Sequence, residues 1–541
     1  MENVADYQIN SAFRLAKEQG RKPFEVASEL ANTFQKKLGD LATVTAHPSG
    51  FVNIVLAEKV LCDFSNEVLK TNKLPLQKQE PRTIFFDYGG ANIAKQLHIG
   101  HLRSPIIGEA LKRVFRAFGH KTISDTFFGD WGLQMGLVLA SVTLDPDASR
   151  ALPDLTLDML NEIYPAASKR SKEDETFYKR AEEITALLQK KTEPWFSMWQ
   201  SIRAISVAAI MSSYKTLGCT FDTQKGESDA ADDVPKVIEL LKKHGAHESE
   251  GCLILDVKKD SDLKPLPPVI LQKSNGGDLY ATSDLAMLYG RYRAFKPQEF
   301  IYCTDARQEL HMEQVFRASK IGKLVPSETK LTHVAYGTMN GADGKPFKTR
   351  AGDTIKLDDI IKMVTESAQK RIKTSPKTPQ NDPFLAQKVG ISALKFADLS
   401  NSVRKDYIFD VDKFTAFEGK TGPYLLYTVA RINSILKKSH SESIGFKSPP
   451  VLCVTFKANT PAVRAIVIAV VKLCDAFQSA SENYTLNGIV EAAWALANKF
   501  NALYANETIL GNAENVAAAA LTRAALLFAL DTLAIEPVEE M

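Results

Sequence analysis

The sequence has few of the features that mark secreted, membrane or zinc-binding proteins. Its six cysteines are scattered among 541 residues without a CxxC pair, which argues against a zinc knuckle or a disulfide framework. The amino terminus has no basic stretch followed by an apolar one. The longest apolar run, near residues 465–471, is far shorter than the roughly 20 residues that cross a bilayer. We therefore expect reduced thiols, a cytoplasmic location and no membrane partner.

An excess of charge of either sign is also missing. The formal net charge is +3, with 24% charged and 45% hydrophobic residues, as in an ordinary globular protein. Because the overall charge does not indicate nucleic acid, a nucleic-acid partner requires local basic patches. The length of 541 residues exceeds that of one core and predicts about three or four domains.

The most informative stretch runs from Thr83 to Gly119. Residues 83–86 are β-branched or aromatic, which predicts a buried strand, and apolar residues recur at helical spacing after Ser104. Ser104 followed by Pro105 predicts a helix N-cap and first helical position, and Gly119 fits the residue just beyond the helix end. The pattern therefore predicts a strand, a loop and a helix.

The connecting loop carries chemistry that a simple connection does not need. Lys95, His98, Gly100 and His101 lie between the predicted strand and helix. Two imidazoles and an ammonium group beside a helix N-terminus form an anion-binding site. We therefore predict a ligand that carries a phosphate group.

The same loop resembles a known family. His98-Ile99-Gly100-His101 matches the signature of class I aminoacyl-tRNA synthetases, and its flanks, Asn92–Lys95 and Leu102–Ser104, resemble those of the arginyl-tRNA synthetases. Such a tetrapeptide arises by chance in unrelated chains, whereas the flanks are specific. The resemblance implies an α/β, Rossmann-type catalytic domain with a parallel sheet. It also implies that His98, His101 and Lys95 are catalytic residues and that Gly100 binds ATP.

The resemblance implies arginine–tRNA ligation in two steps. ATP activates L-arginine to arginyl-adenylate with release of pyrophosphate, and the arginyl group is then transferred to the 3′ end of tRNA-Arg, leaving AMP. Mg²⁺ is expected to accompany ATP without a dedicated protein site, and we expect a monomer. Two alternatives stay open: another class I synthetase, and a tRNA-binding paralogue without catalysis.

A second segment supplies the predicted amino-acid pocket. Tyr280 and Asp284 are four residues apart, which places them on one side of a helix start. Both resemble the family's guanidinium-binding pair, and a carboxylate accepts a guanidinium through two parallel hydrogen bonds. The alternative role for Asp284 is that of a helix cap. For Glu227, which the resemblance also places in this pocket, the alternative is a residue of a surface loop. The resemblance places four further residues in this pocket: Asp87, Asn92, Glu227 and Gln308.

The string at residues 301–311 resembles the strand-to-helix element that closes the adenosine site. His311 and Gln314 follow at helical spacing and are predicted to bind ATP. A lone histidine at such a position is more often structural, so the prediction depends on the match of the whole string.

Residues 344–352 occupy the place of the second class I signature. Lys345 and Lys348 remain at the first and fourth positions, with proline and phenylalanine between them. Adenylate formation needs positive charge that arrives on a mobile loop near the α-phosphate. We predict that Lys348 is catalytic, that Lys345 binds ATP and that Lys95 shares the task. The alternative is a basic surface turn.

The catalytic domain is expected at residues 82–404, with a helical insertion at about 140–215 that carries no chemistry we can name. The turn Gly129-Asp130-Trp131-Gly132 is predicted to be a structural turn beside the active site. Residues 405–541 show strong apolar helical periodicity and predict an all-α bundle, which resembles the family's anticodon-binding domain.

Residues 1–75 read as a small α+β unit of helices and short alternating strands. It resembles the amino-terminal domain with which the family contacts the tRNA elbow. We predict that Phe51 stacks on an unpaired base and that Asn53 hydrogen-bonds to it. The alternative for Phe51 is core packing within the unit.

Overall fold

The structure is a computed structural model that describes residues 5–144, 155–273, 279–341, 343–345, 355–374, 384–442 and 460–541. Its strands are β1 (Tyr7–Ile9), β2 (Ala42–Ala46), β3 (Val52–Leu56), β4 (Thr83–Asp87), β5 (Lys121–Phe128), β6 (Thr223–Gly226), β7 (His247–Ser249), β8 (Cys252–Leu255), β9 (Val269–Gln272), β10 (Glu299–Tyr302), β11 (Lys330–His333), β12 (Met339–Asn340) and β13 (Tyr407–Ile408).

Helices connect these strands and form most of the last third of the chain. The α-helices are Ser11–Gln19, Pro23–Leu38, Glu58–Thr71, Arg103–Ala117, Leu133–Leu144, Leu157–Glu173, Glu175–Gln189, Trp195–Thr216, Glu227–Ala230, Val234–Lys243, Tyr280–Phe295, Glu309–Ile321, Leu357–Thr374, Leu385–Leu399, Val411–Phe414, Gly422–Glu442, Pro461–Asn483, Asn487–Asn506 and Ala513–Thr532. Short 3₁₀ turns lie at Gly39–Leu41, Ile99–His101, Ala231–Asp233 and Ala306–Gln308.

A five-stranded sheet in the order β11-β10-β4-β5-β6 forms the centre of the molecule. Every neighbouring pair in it is parallel. The chain runs outward from β4 through β5 to β6 and then returns to β10 on the other side of β4, so the strand order reverses between β4 and β10. The carboxyl ends of strands at such a switch point form a ligand crevice. The predicted Rossmann-type parallel sheet is confirmed.

Strand β4 is buried on both faces, as expected for a central parallel strand. Ile84, Phe85 and Phe86 are each fully buried. The following helix, Arg103–Ala117, lies close to the strand end because Gly108 has no side chain. A Cβ atom there would come within 2.3 Å of the Tyr88 ring.

The start of this helix differs from the sequence prediction. The helix begins at Arg103, so Ser104 lies in its first turn and is not the N-cap. The Ser104 hydroxyl instead accepts a hydrogen bond from the Gly89 N–H at 2.8 Å and donates one to the Cys303 carbonyl at 2.7 Å. These contacts join the segments that follow β4 and β10. Gly119, with φ of +92°, ends the helix as predicted.

The predicted helical insertion is present between β5 and β6. It consists of the helices Leu133–Leu144, Leu157–Glu173, Glu175–Gln189 and Trp195–Thr216. Farther along, β7, β8 and β9 form a small antiparallel sheet. The insertion contacts the segment after β4, where the Tyr214 hydroxyl donates to the Gly89 carbonyl at 2.8 Å.

The end of the chain is a helical bundle, as predicted. Helix Ala513–Thr532 contacts the helices Gly422–Glu442, Pro461–Asn483 and Asn487–Asn506. By length and composition it is the one helix among the described residues that could cross a membrane, but 61% of its apolar window is buried inside the protein. Its apolar character is therefore explained by its place in the bundle.

The amino-terminal unit has the expected α+β form. Its three-stranded antiparallel sheet has the order β1-β3-β2 and packs on the helices Ser11–Gln19 and Pro23–Leu38. The Tyr7 hydroxyl donates a hydrogen bond to Asp475 at 2.6 Å, and Arg464 pairs with Asp6. The first and last parts of the chain are thus in direct contact.

Candidate active site

A cavity of about 580 Å³ opens at the carboxyl ends of β4, β5 and β10. It lies at the switch point where the strand order reverses. Ten residues singled out from the sequence line it: Asp87, Asn92, His98, Gly100, His101, Glu227, Tyr280, Asp284, Gln308 and His311. The fold thus brings together segments that are far apart in the chain.

The two signature histidines are held by backbone hydrogen bonds in a 3₁₀ turn. The His98 Nδ1 atom accepts from the Gly100 N–H at 3.1 Å, and the His101 Nδ1 atom accepts from the His98 N–H at 3.1 Å. Their ring centroids are 4.0 Å apart. An imidazole nitrogen that accepts carries no proton, so each neutral ring bears its proton on Nε2. Both rings are therefore hydrogen-bond donors through Nε2.

Burial keeps these rings neutral. Burial lowers the pKa of His98, with Lys95 and Arg307 acting in the same direction. Burial lowers the pKa of His101 to about 3, assisted by His98 and Lys95. The imidazoles therefore offer N–H groups to an anion, and positive charge has to come from other residues.

Two such cations lie near the histidines. Lys95 follows Ala94, which has φ of +63°, and burial lowers the pKa of the Lys95 amine. Its Nζ atom is 5.9 Å from the Tyr164 ring centroid, and Lys95 does not line the cavity. Arg307 does line it, with its guanidinium paired to Asp305 at 2.7 Å. The sequence pattern did not single out Arg307, although it directly precedes Gln308.

The predicted guanidinium-binding pair lines the same cavity. Helix Tyr280–Phe295 begins at Tyr280, and its N-cap is Leu279, so Asp284 is inside the helix and is not its cap. The Asp284 Oδ2 atom is 2.5 Å from His311 Nε2, a contact that raises the pKa of His311. His311, predicted to bind ATP, thus turns one ring nitrogen toward the arginine side of the cavity.

Asp87 is tied to a guanidinium of the chain itself. Its Oδ2 atom lies 2.5 Å from Arg291 Nη1, and Arg291 Nη2 lies 2.8 Å from the carboxylate of Asp125. Burial raises the pKa of Asp87 to about 6, against the opposing effect of Arg291. The sequence pattern missed this buried network, since ion pairing across distant strands leaves no local signal.

Glu227 is part of the cavity wall, so the surface-loop alternative does not hold. It is the first residue of the short helix after β6, and its Oε2 atom accepts from the Trp131 N–H at 3.3 Å. Burial raises the pKa of Glu227 to about 7. A second cavity, of about 360 Å³, also has Glu227 and Tyr280 in its lining. These two residues therefore separate two adjoining spaces.

After the predicted lysine loop, the chain rejoins the fold at the histidine turn. On the return side, the Ile99 N–H donates to the Ile355 carbonyl at 3.0 Å, and the Leu357 N–H donates to that of Leu97 at 2.9 Å. Lys345 is exposed, and Lys348 lies outside the described residues. The loop thus rejoins the fold beside His98.

Besides Lys95 and Lys345, three further predicted residues among those the structure describes are outside the cavity lining. Gln314 Nε2 donates to the Pro267 carbonyl at 2.9 Å. The Phe51 ring packs edge-on against Phe13, with centroids 4.9 Å apart. Asn53 is 4% exposed, and its Oδ1 atom accepts from Gln8 Nε2 at 3.0 Å. The Asn53 side chain therefore faces the interior of the amino-terminal unit.

Comparison with known families identifies the arrangement. The family model described as tRNA synthetases class I (R), catalytic domain, matches residues 63–411. The chain belongs to the arginyl-tRNA synthetase family. Its ends match two further models, the arginyl tRNA synthetase N terminal domain at residues 1–56 and the DALR anticodon binding domain at residues 425–541.

Curated relatives in this family are similar over almost the whole chain. The arginine–tRNA ligase of Alkaliphilus oremlandii is 38% identical, with 100% of this chain and 94% of the relative covered. That of Agathobacter rectalis is 38% identical, with 94% and 88% covered.

Solved structures of arginyl-tRNA synthetases share the fold. The enzyme from Plasmodium falciparum superposes with a TM-score of 0.82 at 24% identity, covering 99% of this chain and 93% of that one. The Thermus thermophilus enzyme superposes with a TM-score of 0.79 at 22% identity, covering 100% and 95%.

Proposed function

We propose that this arginyl-tRNA synthetase family member activates L-arginine with ATP and transfers the arginyl group to the 3′ end of tRNA-Arg. The observation that carries the proposal is the single cavity that joins two imidazole donors to the Tyr280 and Asp284 pair. The first group suits a phosphate and the second suits a guanidinium.

In the first step, an oxygen of the arginine carboxylate attacks the α-phosphorus of ATP. A new O–P bond forms, the bond to the bridging oxygen breaks, and pyrophosphate leaves. His98 and His101 donate from Nε2 to the charge that develops on the phosphate oxygens. Lys95 and Arg307 supply positive charge nearby, Lys348 neutralises the leaving group, and Mg²⁺ enters as part of the substrate MgATP.

The arginine side chain enters between the helix Tyr280–Phe295 and Glu227. Asp284 accepts the forked guanidinium, a geometry that lysine does not reproduce. Glu227 adds negative charge from the facing wall, and Asn92 and Gln308 hold the α-amino and carboxylate groups. Rejection of lysine then follows from buried polar groups left unpaired.

In the second step, a ribose hydroxyl of the tRNA 3′ end attacks the carbonyl carbon of arginyl-adenylate, and AMP leaves. Of the two predicted elbow contacts, we keep Phe51 as the RNA contact, because its side chain is partly exposed whereas that of Asn53 is buried. Gly100 and Lys345 remain proposed ATP contacts, with Asp87 and His311 acting between the two substrates. Gln314 is no longer proposed as one, because its amide donates to the Pro267 carbonyl outside the cavity.

The helical bundle offers a surface suited to unpaired bases. The Arg431 guanidinium lies 4.7 Å from the ring centroids of both Tyr427 and Tyr504. Tyr504 is 44% exposed, whereas Phe500 is fully buried. Stacked aromatic and guanidinium planes are a common means of holding splayed RNA bases. We therefore place an anticodon contact here and keep Phe500 as core.

The same proposal includes the organisation of the chain: a tRNA-elbow unit at 1–75, a catalytic domain at 82–404 with its insertion at 140–215, and an anticodon domain at 405–541. The matched ranges at 1–56, 63–411 and 425–541 support this division. We also propose that the enzyme acts as a cytoplasmic monomer.

Amino-acid-dependent pyrophosphate exchange and tRNA charging test the proposal. Purified protein is assayed with tRNA and with each amino acid in turn. Of the amino acids tested, we expect only arginine to support activity. Activity with a different amino acid would indicate another class I specificity, and tRNA binding without exchange would indicate a non-catalytic paralogue.

A further inference from the structure

The inserted helices contact the Gly129–Gly132 turn, which in turn contacts Glu227 through the Trp131 N–H. Trp199, on the inserted helix Trp195–Thr216, donates from Nε1 to the Asp130 carbonyl at 2.6 Å. Its ring packs edge-on against Trp131, with centroids 4.8 Å apart. The insertion, for which the sequence analysis predicted no chemical role, therefore contacts a wall of the active site.

Asp130 is the centre of this contact. Its side chain is fully buried, and Arg203 on the same inserted helix donates from Nε to its Oδ2 atom at 2.7 Å. Ser228 donates to the carboxylate twice, from its N–H to Oδ1 and from its hydroxyl to Oδ2, each at 2.8 Å. One carboxylate thus joins the insertion to the residue that follows Glu227.

The turn that carries Glu227 has little freedom to relax. A Cβ atom on Gly226 would lie 2.3 Å from the Asp130 carboxylate, which shows how closely the two segments approach. The Trp131 N–H also donates to Glu227 Oε2. Asp130 and Trp131 therefore fix the backbone and the side chain of the Glu227 turn.

We infer that Arg203 is a positioning residue for arginine recognition, which acts through Asp130 to hold Glu227 at the junction of the two cavities. The inference rests on the proposed role of Glu227 in binding arginine. Without Arg203, the buried Asp130 carboxylate loses the one ion-pair partner that it has among the described residues, and we expect the Ser228 turn to shift in response.

Arg203→Gln tests this inference, with Arg180→Gln as the matched control. Arg180 lies on the neighbouring inserted helix and pairs with Glu183 near the surface. We expect Arg203→Gln to raise the KM for arginine about tenfold, as for loss of one hydrogen bond to a charged group. The KM for ATP and the kinetics of Arg180→Gln should stay close to those of the unchanged protein.

A double-mutant cycle with Glu227→Gln separates positioning from general destabilisation. If Arg203 acts through Glu227, Arg203→Gln adds little to the arginine KM once Glu227 is replaced. Additive effects, or equal increases in the KM values for arginine and ATP, would overturn the inference.

Failure of the underlying role is distinguishable from failure of the inference. An unchanged arginine KM in Glu227→Gln removes the proposed role of Glu227. A raised KM in Glu227→Gln with no change in Arg203→Gln removes only the positioning role. Should Arg203→Gln not fold, Ser228→Ala deletes one hydrogen bond to Asp130 and leaves the ion pair in place, and the same selective rise in arginine KM is expected.

Discussion

At the scale of single residues, the site works with neutral donors beside separate cations. The Nδ1 atoms of His98 and His101 are occupied by backbone N–H groups, and burial favours the uncharged rings. Their Nε2–H groups are preorganised by the turn, so they need no rearrangement when charge develops on a phosphate. The sequence predicted the two histidines, whereas their protonation state depends on contacts that only the folded chain makes.

His101→Ala should therefore remove a donor to the transition state without affecting tRNA affinity. Loss of one such donor costs about 10²–10³ in kcat. Pyrophosphate exchange measures this loss, and a binding assay with labelled tRNA serves as the control. Because the pKa of His101 is about 3, its titration should leave no acid limb in kcat near neutral pH. An unchanged exchange rate would remove His101 from the mechanism.

The arginine pocket should depend on pH through Glu227. Its pKa is raised to about 7, so the side chain is neutral below this pH and a carboxylate above it. The KM for arginine, a cation, should fall as pH rises through about 7. Glu227→Gln should flatten this dependence.

His311 affects the arginine KM in the same direction, because its protonated ring pairs with Asp284 at acid pH. His311→Gln measures the part of the pH dependence that is due to this ring.

At the scale of elements, the helix that follows the histidine turn is placed by its contact with β4. The β-branched and aromatic residues predicted the strand, and apolar spacing predicted this helix. The spacing did not predict the true start of the helix, because the Ser104 hydroxyl binds the segments after two different strands. A local capping pattern gives no information about such distant partners.

Gly108→Ala should loosen this contact. The added Cβ would lie 2.3 Å from the Tyr88 ring, and overpacking of this kind costs about 1–3 kcal/mol. Urea unfolding measures the change in the free energy of unfolding. Gly488→Ala is the matched control, because its Cβ would make only an ordinary contact of 3.8 Å. Equal stability of the two variants would show that the helix shifts freely on β4.

The side-chain partners of the pocket carboxylates could not be predicted from sequence patterns. Tyr280 and Asp284 follow from helical spacing and resemblance, and the structure places both in the cavity. That Asp284 contacts His311, and that Asp87 contacts Arg291, depends on how separate βα units close on one another. Side chains brought together only by this closure have no fixed spacing in the chain.

At the scale of the whole molecule, the helical bundle is joined to the amino end of the central sheet. Tyr484, at the end of helix Pro461–Asn483, donates its hydroxyl to the fully buried carboxylate of Glu299 at the start of β10. Its ring stacks on Phe115 with centroids 5.9 Å apart. The same strand β10 leads at its other end into the cavity wall.

Tyr484→Phe should weaken this contact between the bundle and the sheet, because it removes one donor from a buried carboxylate. The expected cost is about 1–3 kcal/mol, seen as a lower midpoint in thermal or urea unfolding. The ring contact with Phe115 is kept in this variant, so the loss of stability is due to the missing hydroxyl hydrogen bond. An unchanged midpoint would mean that Lys330 and Arg82, which also approach Glu299, satisfy it without Tyr484.

In the proposed mechanism, one cavity binds ATP through the histidine turn and the arginine guanidinium through Asp284. The most direct test is the KM of Asp284→Asn for each substrate, measured in tRNA charging. We expect an arginine KM raised by a factor corresponding to about 2–5 kcal/mol, with the KM for ATP close to that of the unchanged protein. An unchanged KM for arginine would contradict this mechanism.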